Sequence, residues 1–171
     1  MTNKTHPLWR YIRTVPDFPK QGISFYDITP LLNGQINLLA EALLNTVPSE
    51  LYAQADFLCA IESRGFILAS ILAAKTGKPL ILVRKQGKLP PPVHRFSYDL
   101  EYGSDTLEMS CDLPCSKVLI IDDVLATGGT LSATNELCQQ AGHEVLGALV
   151  LLDLVDLHGD IGIDVFGVLQ G

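Results

Sequence analysis

Long apolar runs are missing from this chain. Its longest, residues 145–152, has eight members and includes glycine and alanine, whereas a membrane-crossing helix needs roughly 20. The opening MTNKTHPLWR has no apolar stretch behind its charges, so neither an export signal nor a membrane anchor is expected. An excess of positive charge is also lacking. Twelve Lys and Arg stand against 19 Asp and Glu, a net charge of -7, which argues against a nucleic-acid backbone as partner. Cysteine is sparse, with only Cys59, Cys111, Cys115 and Cys138. Cys111 and Cys115 have no second Cys or His pair at zinc-site spacing, so the four read as free thiols in a reducing cytoplasm. There is no internal repeat, charge block, low-complexity tract or linker. With 171 residues, 47% hydrophobic and 18% charged, the chain is expected to be one domain, residues 1–171, with a substantial core.

Short apolar runs alternate with helical periodicities. Ile36, Leu39, Ala40, Leu43, Leu44 and Val47 share a helix face ahead of Pro48. The spacing also predicts helices over 66–75, stopped by Gly77, and over 131–141, stopped by Gly142, with Thr130 as a candidate cap. Continuous apolar segments at 57–61, 80–83, 118–121, 145–152 and 165–169 are read as strands. Together they predict an α/β fold with a mostly parallel central sheet covered by helices on both faces. In such sheets ligands bind at the carboxyl ends of the strands. Three of these strands end in chemically loaded residues: Glu62-Ser63-Arg64-Gly65, Arg84-Lys85 and Asp122-Asp123.

The stretch VLIIDDVLATGGT, residues 118–130, carries the most chemistry. Two adjacent carboxylates ending a buried strand repel each other unless cations or hydroxyl donors use them. Ala126, Thr127, Gly128, Gly129 and Thr130 then lead into a helix, where small residues let successive backbone amides point at one anion. The lysine of a triphosphate loop and the spacing of a dinucleotide fingerprint are both absent, so a single phosphate is the expected ligand. Asp122 and Asp123 would accept hydrogen bonds from ribose hydroxyls and hold Mg2+ through water. Lys75, Lys78, Arg84, Lys85 and Lys88 concentrate five of the 12 basic residues within 75–88, which suits a compact polyanion. Residues 86–103, containing Pro90, Pro91 and Pro92, show no clean period and are expected to form a long functional loop. His94 lies within it but, like His6, His143 and His158, is read as a surface or capping residue rather than a catalyst.

These residues resemble the type I phosphoribosyltransferases. The match rests on VLIIDDVLATGGT, on ESRGF at 62–66, on VRKQGKLP at 83–90 followed by SYDLEYG at 97–103, and on FPKQGISFYDITPLL at 18–32. The same stretches resemble the adenine-specific branch over nearly the whole chain. The resemblance implies a Rossmann-like core, a small base-binding hood over about 1–34 and a flexible lid over about 86–103. The implied reaction transfers the 5-phosphoribosyl group from phosphoribosyl pyrophosphate to adenine, giving AMP and pyrophosphate, with Mg2+ as cofactor and a homodimer as the assembly.

By resemblance, 126–130 hold the 5-phosphate and Asp122 and Asp123 the ribose. Ser63, Arg64, Arg84, Lys85 and Lys88 take the pyrophosphate, with one of Arg84 and Lys88 expected to reach it from a neighbouring subunit. Phe25 stacks on the base, and main-chain groups around Ser24 and Phe25 read its edge. Glu101 stabilises the developing oxocarbenium charge or handles a purine proton, and Tyr102 positions the closed loop. Two positions depart from the pattern: Tyr26, expected with Ser24 and Phe25 to bind the adenine by a hydrogen bond or by stacking, stands where relatives usually have arginine and brings no charge, and Gln21 stands where proline is common. Two other readings remain open, transfer to hypoxanthine, guanine or xanthine, and a non-catalytic regulator that senses phosphoribosyl pyrophosphate.

Overall fold

The apolar runs at 57–61, 118–121 and 145–152 become three adjacent strands at the centre of a seven-stranded sheet. The structure is a computed structural model that describes residues 5–99 and 103–171. In chain order its strands are β1 (Arg13–Val15), β2 (Phe25–Asp27), β3 (Phe57–Ile61), β4 (Leu80–Lys85), β5 (Val93–Asp99), β6 (Ser104–Ser110), β7 (Lys117–Leu125), β8 (Glu144–Asp153) and β9 (Val165–Gln170). The helices are α1 (Thr29–Leu32), α2 (Ile36–Thr46), α3 (Ser49–Gln54), α4 (Arg64–Thr76) and α5 (Gly129–Gln140). Strand order in the sheet is β5-β6-β4-β3-β7-β8-β9. The run from β4 to β9 is parallel, and β6 and β5 add antiparallel at one edge. β1 and β2 form a separate antiparallel pair.

Alternate residues of the central strands serve opposite faces, which is why their sequences are apolar throughout. Leu58, Ala60, Leu119, Ile121, Leu149 and Leu151 share a core with Leu39, Leu43, Leu68 and Leu72 of α2 and α4. Cys59, Ile61, Val118, Ile120, Ala148 and Val150 pack instead with Leu131, Leu137 and Cys138 of α5. The Cys59 and Cys138 sulfurs lie 3.7 Å apart in that second core, both reduced. Gly77 ends α4 in the left-handed conformation at φ +71°, as its position predicts.

Four expectations are corrected. β7 does not stop at Ile121. It runs on through Leu125 because β8 continues to pair with it, Asp122 opposite Val150 and Leu125 opposite Asp153. The acidic pair therefore lies within the strand, just past Ala60 and Ile121, the last residues β3 pairs with it. Gly128, not Thr130, is the N-cap of α5, at φ +86°. Much of the expected 86–103 loop is strand: β5 pairs with β6 from Val93 opposite Ser110 to Asp99 opposite Ser104. Finally, His6 does cap a backbone amide, that of Leu8, but His143 is buried rather than on the surface.

Candidate active site

Three strand ends and the β1–β2 pair converge on one trough. At its first end is a cavity of about 100 Å3 lined by Ala126, Thr127, Gly128, Gly129 and Thr130 together with Asp122 and Val150. The first amides of α5 lack intrahelical acceptors by construction, and the helix dipole adds positive potential there. Gly128 is favoured by its backbone. Its φ is positive, and a Cβ on it would sit 2.5 Å from Ile161 Cδ1. The ring of Tyr98, from β5, lies 3.7 Å from the place a Cβ on Gly129 would take, and its hydroxyl is 3.3 Å from Thr130 Oγ1.

Next along the trough is a cavity of about 290 Å3 whose lining includes Ser63, Arg64, Lys85, Tyr98, Asp122, Asp123 and Thr130. Burial, and then the charge of Asp123, push the Asp122 carboxyl well above the usual aspartate range. Burial also raises Asp123, although Arg64 pulls it back. Arg64 Nε is 2.8 Å from Asp123 Oδ2, yet among the described residues no N–H is directed at that oxygen, which is left without a hydrogen-bond donor. A ligand bringing hydroxyls or a divalent cation would relieve both strains. The turn carrying Arg64 packs very close to the acids: a Cβ on Gly65 would lie 2.8 Å from the Ile121 carbonyl oxygen and 3.2 Å from Asp122 Oδ1. Only glycine admits this approach.

Arg64 links the acids to a third cavity, of about 430 Å3, lined by Arg13, Val15, Phe18, Phe25, Asp27, Thr29 and Arg64. Its guanidinium lies 5.0 Å from the centre of the Phe25 ring and donates to the Tyr26 carbonyl at 3.2 Å. Phe18 meets Phe25 edge to face with centroids 5.1 Å apart. Arg13 clasps Asp27 through two nitrogens at 3.0 and 2.6 Å, tying β1 to the strand that carries Phe25. Strand alternation sends the neighbouring side chain the other way. The Tyr26 ring packs edge-on against Trp9 at 6.2 Å and joins the main core, so it does not line the base-sized cavity and only its main chain faces Arg64. Ser24 is exposed immediately before β2.

Of the cations expected to meet a pyrophosphate, Arg64 and Lys85 line the second cavity, Arg84 and Lys88 lie beside it against Glu62, and each of the four has an anionic partner. Lys85 Nζ is 2.8 Å from Asp105 Oδ2, a contact that raises the lysine and lowers the aspartate. Arg84 and Lys88 both converge on Glu62. Glu62 and Tyr98 carry no assignment from the sequence; partner and direction, not residue type, reveal them. Glu101 and Tyr102 lie outside the described residues, and Tyr98 of β5 reaches the 126–130 turn through Thr130. Lys75 stands in the last turn of α4 and Lys78 bonds the Ala53 and Ala55 carbonyls, so neither joins this cluster.

Residues 27–160 match the phosphoribosyl transferase domain family. The chain is 46% identical over 155 residues to the adenine phosphoribosyltransferase of Hydrogenovibrio crunogenus, covering 91% of this chain and 90% of that protein. The crystal structure of adenine phosphoribosyltransferase from Rhodothermus marinus superposes with a TM-score of 0.85 at 44% identity, over 96% of each chain. The Saccharomyces cerevisiae enzyme, crystallised with an imino-altritol bisphosphate and adenine, does so at 0.87 and 32% identity, over 95% of this chain and 96% of that one.

Proposed function

The chain belongs to the phosphoribosyl transferase domain family, among its adenine phosphoribosyltransferases, and on that premise we propose how its own residues perform the transfer of a 5-phosphoribosyl group from phosphoribosyl pyrophosphate to adenine, yielding AMP and pyrophosphate. One observation carries the reading. The three cavities are joined by shared residues, the first to the second through Asp122 and Thr130 and the second to the third through Arg64. Their sequence of anion nest, acidic pair and aromatic platform is that of phosphate, sugar and base in a nucleotide.

In this reading residues 126–130 hold the 5-phosphate, and Asp122 and Asp123 accept from the ribose hydroxyls. Phe25 supplies the stacking face, with main-chain groups around Ser24 and Phe25 along the base edge. The bond from the anomeric carbon to pyrophosphate oxygen breaks, its electron pair leaving with pyrophosphate, while a purine nitrogen lone pair forms the new bond. Arg64, Arg84, Lys85, Lys88 and the Ser63 turn offset the charge on the leaving group, and interactions that strengthen as it departs raise the rate. Glu101 is assigned to the oxocarbenium charge or the purine proton, with Tyr102 ordering the lid against water. Mg2+ would neutralise the pyrophosphate when bound. The raised acidic pair and the undonated Asp123 oxygen suit such a charge.

A homodimer and a reducing cytoplasm complete the proposal. Free thiols support the second, and among the described residues no helix is long and apolar enough to cross a membrane. A purine panel with phosphoribosyl pyrophosphate and Mg2+ tests the reading. Adenine should yield AMP and pyrophosphate. Preference for hypoxanthine, guanine or xanthine would reassign the substrate, and no turnover with any base would remove the assignment.

A further inference from the structure

Glu62 has no part in the reading above, yet it makes the densest set of charged contacts in the trough. Its Oε2 accepts from Arg84 Nε at 3.2 Å and from the Lys85 amide at 2.9 Å. Its Oε1 accepts from Lys88 Nζ. The carboxylate is 8% exposed, while its two cationic partners are 34% and 47% exposed. Arg84 also donates to the Lys88 carbonyl at 3.2 Å, so the glutamate, the strand-end arginine and the lysine of the following turn form a closed ring of contacts. Burial alone would raise the Glu62 carboxyl, but Lys88, the Lys85 amide and Arg84 together hold it below the usual glutamate range. It is ionised at neutral pH.

The charge pattern around it is regular. Arg64 faces Asp123 and Lys85 faces Asp105, whereas Arg84 and Lys88 share one carboxylate between them. A pyrophosphate arriving here must therefore displace a resident anion, and a departing one is replaced by it. We propose that Glu62 is a built-in counter-charge for the pyrophosphate subsite: it keeps Arg84 and Lys88 assembled when the subsite is empty and weakens pyrophosphate binding so that the product leaves. The inference rests on the proposed function, because it needs Arg84 and Lys88 to bind pyrophosphate. Glu62 is a positioning residue; it touches the cations and not the reacting atoms. A charge that repels substrate and product alike raises both KM and the product dissociation constant without assisting the chemical step.

The test is calorimetric titration of pyrophosphate with Mg2+ into wild type, Glu62→Gln and Glu62→Asp, alongside steady-state kinetics. Glu62→Gln keeps the shape and removes the charge. Pyrophosphate should then bind about three- to tenfold more tightly, as expected for one partly screened charge at this range. The KM for phosphoribosyl pyrophosphate should fall in parallel, with kcat unchanged or lower. Glu62→Asp keeps the charge and should leave the affinity nearer to wild type than Glu62→Gln does, and tightening as large as that of Glu62→Gln would show that the charge is not the cause. A purely structural role predicts the reverse, weaker pyrophosphate binding in Glu62→Gln. That result, or unchanged affinity in a variant with wild-type circular dichroism, would overturn the proposal. If wild type itself takes up no pyrophosphate, the function assigned to the subsite fails first, and the proposal with it.

Discussion

Replacing Asp122 by asparagine should make the protein more stable and less useful. The side chain keeps its size but loses a charge that the fold disfavours, because Asp122 sits in a central strand beside a second carboxylate. Two unit charges about 4 Å apart repel by about 4 kcal/mol at an effective dielectric of about 20. Arg64, 2.8 Å from Asp123, and the Asp123 amide that donates to Asp122 at 2.8 Å offset most of this. The residue is a gain of about 0.5–2 kcal/mol on substitution, or about 1–8 °C in Tm for a chain of this size.

The pH dependence follows from the raised carboxyl. Folded protein holds the Asp122 proton more tightly than unfolded protein does. Wild-type stability from this group is therefore fully present below the usual aspartate value, about pH 4, and is lost as pH rises through the raised value. Asp122→Asn has no such loss, so the difference in urea midpoint should be small at pH 4 and widen toward pH 8. Turnover should move oppositely, with kcat/KM falling about tenfold to hundredfold for the loss of a charged hydrogen-bond acceptor. A variant less stable than wild type at pH 8, or a gap that does not change with pH, would refute the electrostatic account of this pair.

Other substitutions test separate parts of the trough. Gly65→Ala puts a methyl 2.8 Å from the Ile121 carbonyl and should cost about 1–3 kcal/mol in urea unfolding, as overpacked sites do; an unaltered midpoint would mean α4 does not abut β7 there. Phe25→Ala should raise the KM for adenine about tenfold or more through lost stacking. Tyr26→Phe should leave it nearly unchanged, since that ring faces Trp9, and a large effect would show the tyrosine reaching the base. Glu101→Gln should preserve substrate binding and lower kcat by about two to four decades; an unimpaired kcat would take Glu101 out of the mechanism.

What was legible in the chain was whatever local pattern alone decides. Residues 57–61, 118–121 and 145–152 read as strands because burial on both faces requires unbroken apolar sequence. Gly77 marked a helix end because only its backbone freedom is needed there. Gly128 marks the start of α5 for the same reason, at φ +86°. β5 is not evident in the sequence because its less exposed side chains, His94, Phe96 and Tyr98, follow three prolines and become a strand only once β6 pairs with them. The extension of β7 past Ile121 likewise depends on β8. Glu62 and the direction of Tyr26 were hidden for a different reason. Which cations surround a carboxylate, and which way a ring turns on a three-residue strand, are settled by neighbours distant in the chain, here Arg84, Lys88 and Trp9.

The most direct measurement is calorimetric titration of phosphoribosyl pyrophosphate and Mg2+ into wild type and into the Asp122→Ala/Asp123→Ala double variant. Wild type should bind one equivalent, and the double variant should lose most of that affinity. Equal affinities for the two proteins would contradict the assignment of the acidic pair and its neighbouring glycine turn to the sugar phosphate.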